Sequence, residues 1–162
     1  MSGQLIYGYQ PPQGIAGGLY DLSPHLIDTR VNGENTAAAL KFGMGVMRGS
    51  TPGVNILLPT SSNTADEFEG LLMTGFTHEI NMAGEVLIYP LQTVGVMCWG
   101  RPWARVVNGV TPAYGDALYL VTSGADAGLF TNVASGNLAI NGRFIGGLGV
   151  GDIAPVELYK QK

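Results

Sequence analysis

The sequence predicts an all-β protein: a small β-barrel or sandwich of about eight short strands, entered by an extended N-terminal arm. Three observations predict it. From Leu40 onward, short apolar runs alternate with turn residues at roughly ten-residue spacing. Glycines fall inside those runs, at Gly43, Gly45, Gly75, Gly95, Gly146, Gly147 and Gly149. Glycine is tolerated in a strand where a barrel corner bends, a bulge sits or another backbone comes close. The chain is also poor in charge: 12% of its 162 residues are charged, 46% are apolar and 25 are glycine. Globular domains carry about 25% charged residues. A chain this poor in charge is expected to bury surface against copies of itself or a partner.

Residues 1–36 read as the arm and 37–162 as the barrel or sandwich domain. The arm holds Pro11, Pro12, Pro24 and scattered apolar anchors, with no sustained period of 3.6 or 2.0. Pro11-Pro12 forbids regular structure across it. The first strand is expected over 41–48, with Phe42, Met44 and Val46 on alternate positions, followed by a turn over 49–53. Val54 to Leu58 is stopped by Pro59, and Thr64 is placed to cap a short helix with Asp66 and Glu67 in its first turn. A strand follows within 68–77, and 86–89 reads as a short strand or a loop segment. Residues 95–99 and 103–107 flank Gly100-Arg101-Pro102, which suggests a tight connection. Residues 117–121 and 128–131 flank another turn, and runs over 144–150 and 155–159 close the series.

Bulk properties narrow the function. A net charge of −4, from 8 basic and 12 acidic residues, argues against nonspecific nucleic-acid binding. The longest apolar candidate, Val94 to Trp99, is far short of the roughly 20 residues of a membrane-spanning helix. Met1 to Tyr9 lacks the basic and apolar regions of a signal peptide. A single cysteine, Cys98, excludes a disulfide framework or cysteine-cluster metal site. No Lys or Arg lies between Arg48 and Arg101, while five acids do. That points to solvated acidic loops or to an acidic outward face opposite a more basic docking face.

Catalytic motifs are weak. His78-Glu79 resembles an acid–base pair, yet adjacent strand residues point to opposite faces. His25 and His78 without clustered carboxylates do not make a zinc site. Asp66, Glu67 and Glu69 read as a solvated acidic turn rather than a glycosidase pair. Cys98, inside an apolar strand, reads as an inert thiol. No nucleophile elbow, phosphate loop or dinucleotide fingerprint is present. The chain is therefore expected to be no enzyme, with no catalytic residues, cofactor or metal. Trp99, Arg101, Trp103 and Arg105, spaced by two, allow a Trp–Arg ladder, a sugar platform or an interface hot spot; the other reading is core Trp with Arg at strand ends.

The order of short motifs carries a resemblance. It runs through Ala16-Gly17-Gly18-Leu19-Tyr20-Asp21, Ile27-Asp28-Thr29-Arg30-Val31-Asn32, residues 41–49, Phe68-Glu69-Gly70-Leu71-Leu72, residues 95–104 with their Gly-Arg-Pro-Trp, Tyr114 to Leu120, and Ala154-Pro155-Val156-Glu157-Leu158. From about Gly17 to Leu158 the chain resembles the structural cement, or head-decoration, proteins of tailed bacteriophages. The resemblance implies a non-enzymatic virion protein, made in the host cytoplasm. It would bind the outer surface of the icosahedral shell and stabilise contacts between major capsid subunits. Its partners would be the major capsid protein and itself, as a homotrimer or else a dimer, with no nucleic acid or membrane. Capsid or oligomer contacts are expected from Leu5, Tyr7, Tyr9, Ile15, Leu19 and Tyr20 in the arm and from Arg30, Arg101, Trp103 and Arg105. The rival function is a virion-borne carbohydrate- or receptor-binding module acting through Trp99 and Trp103.

Overall fold

The computed structural model describes residues 14–75 and 79–160. Among them are twelve strands: β1 Leu26–Asn32, β2 Gly45–Arg48, β3 Asn55–Leu57, β4 Phe68–Leu72, β5 Glu79–Ile80, β6 Val86–Leu87, β7 Thr93–Trp99, β8 Trp103–Arg105, β9 Ala117–Leu120, β10 Phe130–Thr131, β11 Leu138–Phe144 and β12 Ile153–Leu158. The single helical piece among the described residues is one 3-10 turn, Ala65–Glu67. Glu67 closes it by accepting from the Thr64 N–H at 2.9 Å, the returning half of a capping box.

Five strands close into a barrel in the order β1-β3-β2-β4-β7. Five more form a second sheet, β10-β9-β11-β12-β8. A parallel bridge between Val106 and Phe130 links the ends of that second sheet, so its two outer strands are not left as long open edges. β5 and β6 make a separate two-stranded ribbon.

The barrel and the second sheet share their strands' faces. Within β2, β4 and β7, neighbouring residues enter different cores. Val46, Leu72 and Val96 fill the barrel with Leu40, Phe42, Ile56, Ile88 and Val94. Met47, Leu71 and Met97 face outward and pack with Leu118, Leu120, Phe130, Phe144 and Val156 of the second sheet. The period-2 alternation of a strand makes this division. It also explains why these strands read as unbroken apolar pairs rather than as apolar-polar alternation.

Two glycines permit the close approach. A Cβ on Gly45 would lie 2.6 Å from Leu120 Cδ1 and 2.9 Å from Phe130 Cζ. Gly70 sits at φ 150°, and a Cβ there would stand 2.2 Å from the Met97 carbonyl oxygen.

The all-β expectation holds, with more and shorter strands than the apolar runs suggest. Three local expectations are corrected. β1 lies in the segment read as arm, yet it pairs along β7 from Leu26 to Val31 and joins β3 in parallel. Its polar Asp28, Thr29 and Arg30 hid it. The turn Gly100-Arg101-Pro102 is not a hairpin: β7 pairs with β1 and β4, whereas β8 pairs with β12. Gly100 at φ 137° instead carries the chain out of the barrel, bridging Leu158 on the way. The strand expected over 144–150 occupies Leu138–Phe144; the glycines after it lie in the loop before β12, and Asn141-Gly142-Arg143 masked its apolar face.

Leu71 is fully buried where the two layers meet. Leu71→Ala is expected to cost about 2–5 kcal/mol. Because the layers share strands, urea unfolding should remain one transition by both tryptophan fluorescence and circular dichroism. Separate loss of the two sheets would contradict the shared core.

Candidate functional site

The segment before β1 is fastened to the second sheet. Gly17 N–H donates to Trp103 O at 2.8 Å, Trp103 N–H to Gly18 O at 2.9 Å and Tyr20 N–H to Arg101 O at 2.8 Å. Gly18 N–H also bonds Ile15 O at 2.8 Å, closing a turn with Gly17 at φ 75°, which suits glycine at the third position of a type II turn. This lays Ile15, Leu19 and Tyr20 on the surface beside β8, with relative exposures of 62%, 40% and 42%. Tyr20 meets Trp103 edge-on, ring centroids 5.6 Å apart.

Side chains then cluster along the outer face of β8, β12 and β11. Arg101 donates from Nε to Glu157 Oε1 at 3.0 Å and from Nη1 to Asp21 Oδ2 at 3.1 Å. Arg143 Nε donates to Glu157 Oε2 at 2.8 Å. The Tyr159 hydroxyl donates to the same Oε2 at 3.3 Å. The Arg143 guanidinium also lies 5.4 Å from the centre of the exposed Tyr114 ring, a cation–π distance. Burial pushes the Glu157 carboxyl up, but Arg101 and Arg143 outweigh it and hold it below the usual carboxylate range. Asp21 is also held low, chiefly by Ser23, with Arg101 assisting. Aromatic rings and arginines over a charge-paired floor have the composition of interface hot spots.

The expected contact residues divide. Ile15, Leu19, Tyr20, Arg101 and Trp103 come together on this face. Leu5, Tyr7 and Tyr9 lie outside the described residues, as does His78. Arg30 stands elsewhere, on β1, where it shares the face of its register partner Val94; its Nε donates to Glu69 at 2.8 Å and Nη2 to Asp28 at 3.1 Å. Burial opposes the Arg30 charge, yet these two carboxylates raise its pKa above the ordinary value. Arg105 turns inward, half-buried, and donates from Nε to Phe42 O at 2.7 Å; burial lowers its pKa. The Trp–Arg ladder therefore does not form: Trp99 and Trp103 belong to different sheets. Sequence reasoning missed Tyr114, Arg143, Glu157 and Tyr159. Arg143 and Glu157 are register partners across β11 and β12, and a register is not written in one strand.

The other chemical candidates stay apart. Cys98 is half-buried beside Asp28 at 3.6 Å. Burial, reinforced by Asp28, pushes its thiol up to about 11, away from a reactive thiolate. His25 Nδ1 lies 2.8 Å from Ser23 O. Among the described residues, no three His, Cys, Asp or Glu side chains are placed to hold a metal ion, and no helix is long and apolar enough to cross a membrane.

Comparison with known proteins adds three findings. The family model described as "Structural cement protein (E217 gp24/Pam3 gp6)" matches residues 3–159. A chain in the solved structure "The capsid of Myoviridae Phage XM1" is similar in fold, with a TM-score of 0.75, 21% identity and 99% of each chain covered. No curated protein matches significantly.

The charge cluster makes a signed prediction. A carboxyl held low in the fold contributes stability that is complete above its unfolded value, 4.5 for Glu157, and is lost as pH falls through the lower folded value. Urea midpoints followed from about pH 7 to about pH 3 should therefore fall on the acid side, and Glu157→Gln should flatten that fall. An unchanged acid limb in Glu157→Gln would remove the cluster from the stability account.

Proposed function

The chain belongs to the phage structural cement proteins and stabilises a phage capsid; from that premise we propose that it sits on the outside of the assembled shell and bridges neighbouring major capsid subunits. The family match over residues 3–159 carries the reading. The protein is a component of the virion and associates with capsid protein.

In this proposal the working unit is a homotrimer. The contact surface combines Ile15, Leu19, Tyr20, Arg101 and Trp103, on the face described above, with Leu5, Tyr7 and Tyr9 ahead of it. Arg30 and Arg105 contribute indirectly, Arg30 by tying β1 to β4 through Glu69 and Arg105 by holding the Phe42 carbonyl. Exposed Leu22, Leu26 and Ile27, at 93%, 43% and 40%, extend the apolar area next to it. Their exposure, with so few charges on the chain, supports a surface that is covered in use. The role is structural rather than catalytic. Stabilisation follows from mass action: a protein that binds the assembled shell and not its dissociated subunits lowers the free energy of the shell alone. Repetition over many equivalent sites couples neighbouring capsomers.

The glycan-binding reading finds no support in the geometry. A sugar platform needs open indole faces. A Cβ on Gly14 would meet the Trp103 ring at 2.0 Å and one on Gly149 at 3.3 Å, so backbone already packs on that indole, and Tyr20 takes its edge.

Purified protein incubated with empty expanded shells and imaged by cryo-electron microscopy tests the proposal. Density outside the shell at local threefold positions is expected. Density at twofold positions would replace the trimer with a dimer, and protein left free in solution would defeat the decoration reading. Deleting residues 2–13 is expected to weaken shell binding about ten-fold without lowering the melting temperature. The cut must stop before Gly14, because Gly17 to Tyr20 carry backbone bonds into the body.

A further inference from the structure

The chain holds three Asn-Gly pairs, Asn32-Gly33, Asn108-Gly109 and Asn141-Gly142, and the fold treats them differently. We propose that, of the three, Asn108-Gly109 is a site of spontaneous deamidation in the folded protein, where water converts Asn108 to aspartate and isoaspartate. The inference concerns the isolated chain and stands apart from the cement reading.

The reaction needs no enzyme. The Gly109 nitrogen, once its proton has passed to a water base, attacks Asn108 Cγ. The N–Cγ bond forms, the Cγ–Nδ2 bond breaks, and the side-chain nitrogen takes up a proton and leaves as ammonia. Water then opens the five-membered succinimide at one of its two carbonyls. Cleavage of the N–Cγ bond gives aspartate. Cleavage of the bond from the Gly109 nitrogen to the Asn108 main-chain carbonyl gives isoaspartate, in which the chain runs through the side chain. The sum is asparagine plus water giving the acid plus ammonia, with nothing oxidised or reduced. Ring closure needs an accessible nitrogen, a free side-chain amide and freedom to turn the main chain between them. A following glycine puts no side chain in the way.

Local sequence does not distinguish the pairs, since each is preceded by a β-branched residue, Val31, Val107 or Ile140. Structure does. Asn32 is fully buried. Its Nδ2 donates to Ile88 O at 2.9 Å and Tyr89 O at 3.1 Å, and its Oδ1 accepts from Glu34 N–H at 2.8 Å. The attacking nitrogen is held as well, because Gly33 N–H donates to Ile56 O at 2.9 Å. Asn141-Gly142 lies inside β11 with Gly142 opposite Leu158 of β12. Asn141 Nδ2 donates to Lys160 O at 3.1 Å and its carbonyl accepts from Tyr159 N–H at 3.0 Å, so turning the chain there would break the strand pairing. Asn108 and Gly109 are both exposed, in the turn after β8. One backbone bond, from Val110 N–H to Val107 O at 3.2 Å, closes that turn, and Gly109 stands at φ 83°, as the third residue of a type II turn does. Among the described residues, no hydrogen bond holds the Asn108 amide or the Gly109 N–H. A Cβ on Gly109 would meet nothing within 4 Å, so the space beside it is open. Opening one turn bond is a local event, whereas freeing the other two pairs requires part of the barrel or of the second sheet to open. The product adds one negative charge to a chain of net charge −4.

The full chain, incubated warm in mildly alkaline buffer and sampled over time, is digested and mapped by peptide mass. The Asn108 peptide is expected to exchange its amide for a carboxyl about ten-fold faster than the Asn32 and Asn141 peptides, or more, and to split into two products. Label from an isoaspartyl methyltransferase should mark one of them. Conversion at Asn108 no faster than at the other two would overturn the proposal. In guanidinium chloride the three rates should converge; a preference that persisted in the unfolded chain would remove the fold as its cause. Asn108→Gln gives a second readout, because a glutamine would have to close a six-membered ring and does so far more slowly. The acidic band that accumulates on isoelectric focusing should be lost in this variant, and its undiminished appearance would place the reaction elsewhere. Shell binding enters none of these readouts, so a failure here leaves the cement reading untouched.

Discussion

Three strands buried on both faces hold this molecule together. β2, β4 and β7 line the barrel with one set of side chains and support the second sheet with the alternate set. A strand's period of two leaves no freedom in that division: a one-residue slip would exchange Met47, Leu71 and Met97 with Val46, Leu72 and Val96. The larger, flexible methionines face the irregular junction between layers, which suits their adaptable shape. The β-branched valines face the barrel interior. Gly45 and Gly70 stand where side chains would keep the backbones apart. Everything on the surface is positioned by this junction, because β8 and β12 rest on it.

The surface cluster depends on that support. Glu157 lies on β12 between two arginines, one from the link after β7 and one from β11. Three chain segments distant in sequence thus meet at one carboxylate, and Asp21 adds a fourth through Arg101. Each ion pair is partly exposed, so its individual contribution is modest. Their joint effect is positional: they fasten the residues ahead of β1 to the sheet and orient Tyr20, Trp103 and Tyr114 at its face.

The same arrangement accounts for an unusual composition. A protein that stabilises a capsid does not need an evenly charged surface. Among the described residues, nine charged side chains pair with one another: Arg30 with Glu69 and Asp28, Arg101 with Asp21 and Glu157, Arg143 with Glu157, and Lys41 with Glu85. Stabilising a capsid requires shape and adhesion repeated many times rather than a poised nucleophile. The raised pKa of Cys98 fits that requirement, since an inert thiol inside a barrel wall is only packing.

Much of this was legible in the chain itself. Charge poverty, glycines within apolar runs and the spacing of those runs determined an all-β protein with surface to bury, because composition and period are local properties. The ordered short motifs determined the family, and the β9–β10 pair was read correctly from its turn. Sheet membership was not legible. β1 hid behind the polar run Asp28, Thr29 and Arg30, whose pairing with Val96, Gly95 and Val94 is long-range, and Gly100 to Pro102 looked like a hairpin although it joins two sheets. Tertiary structure alone decided which arginine meets which carboxylate, since Arg101 and Glu157 are 56 residues apart. Pairing partners of a strand are chosen by long-range register, and a single sequence carries the period of a strand but not the identity of its neighbour.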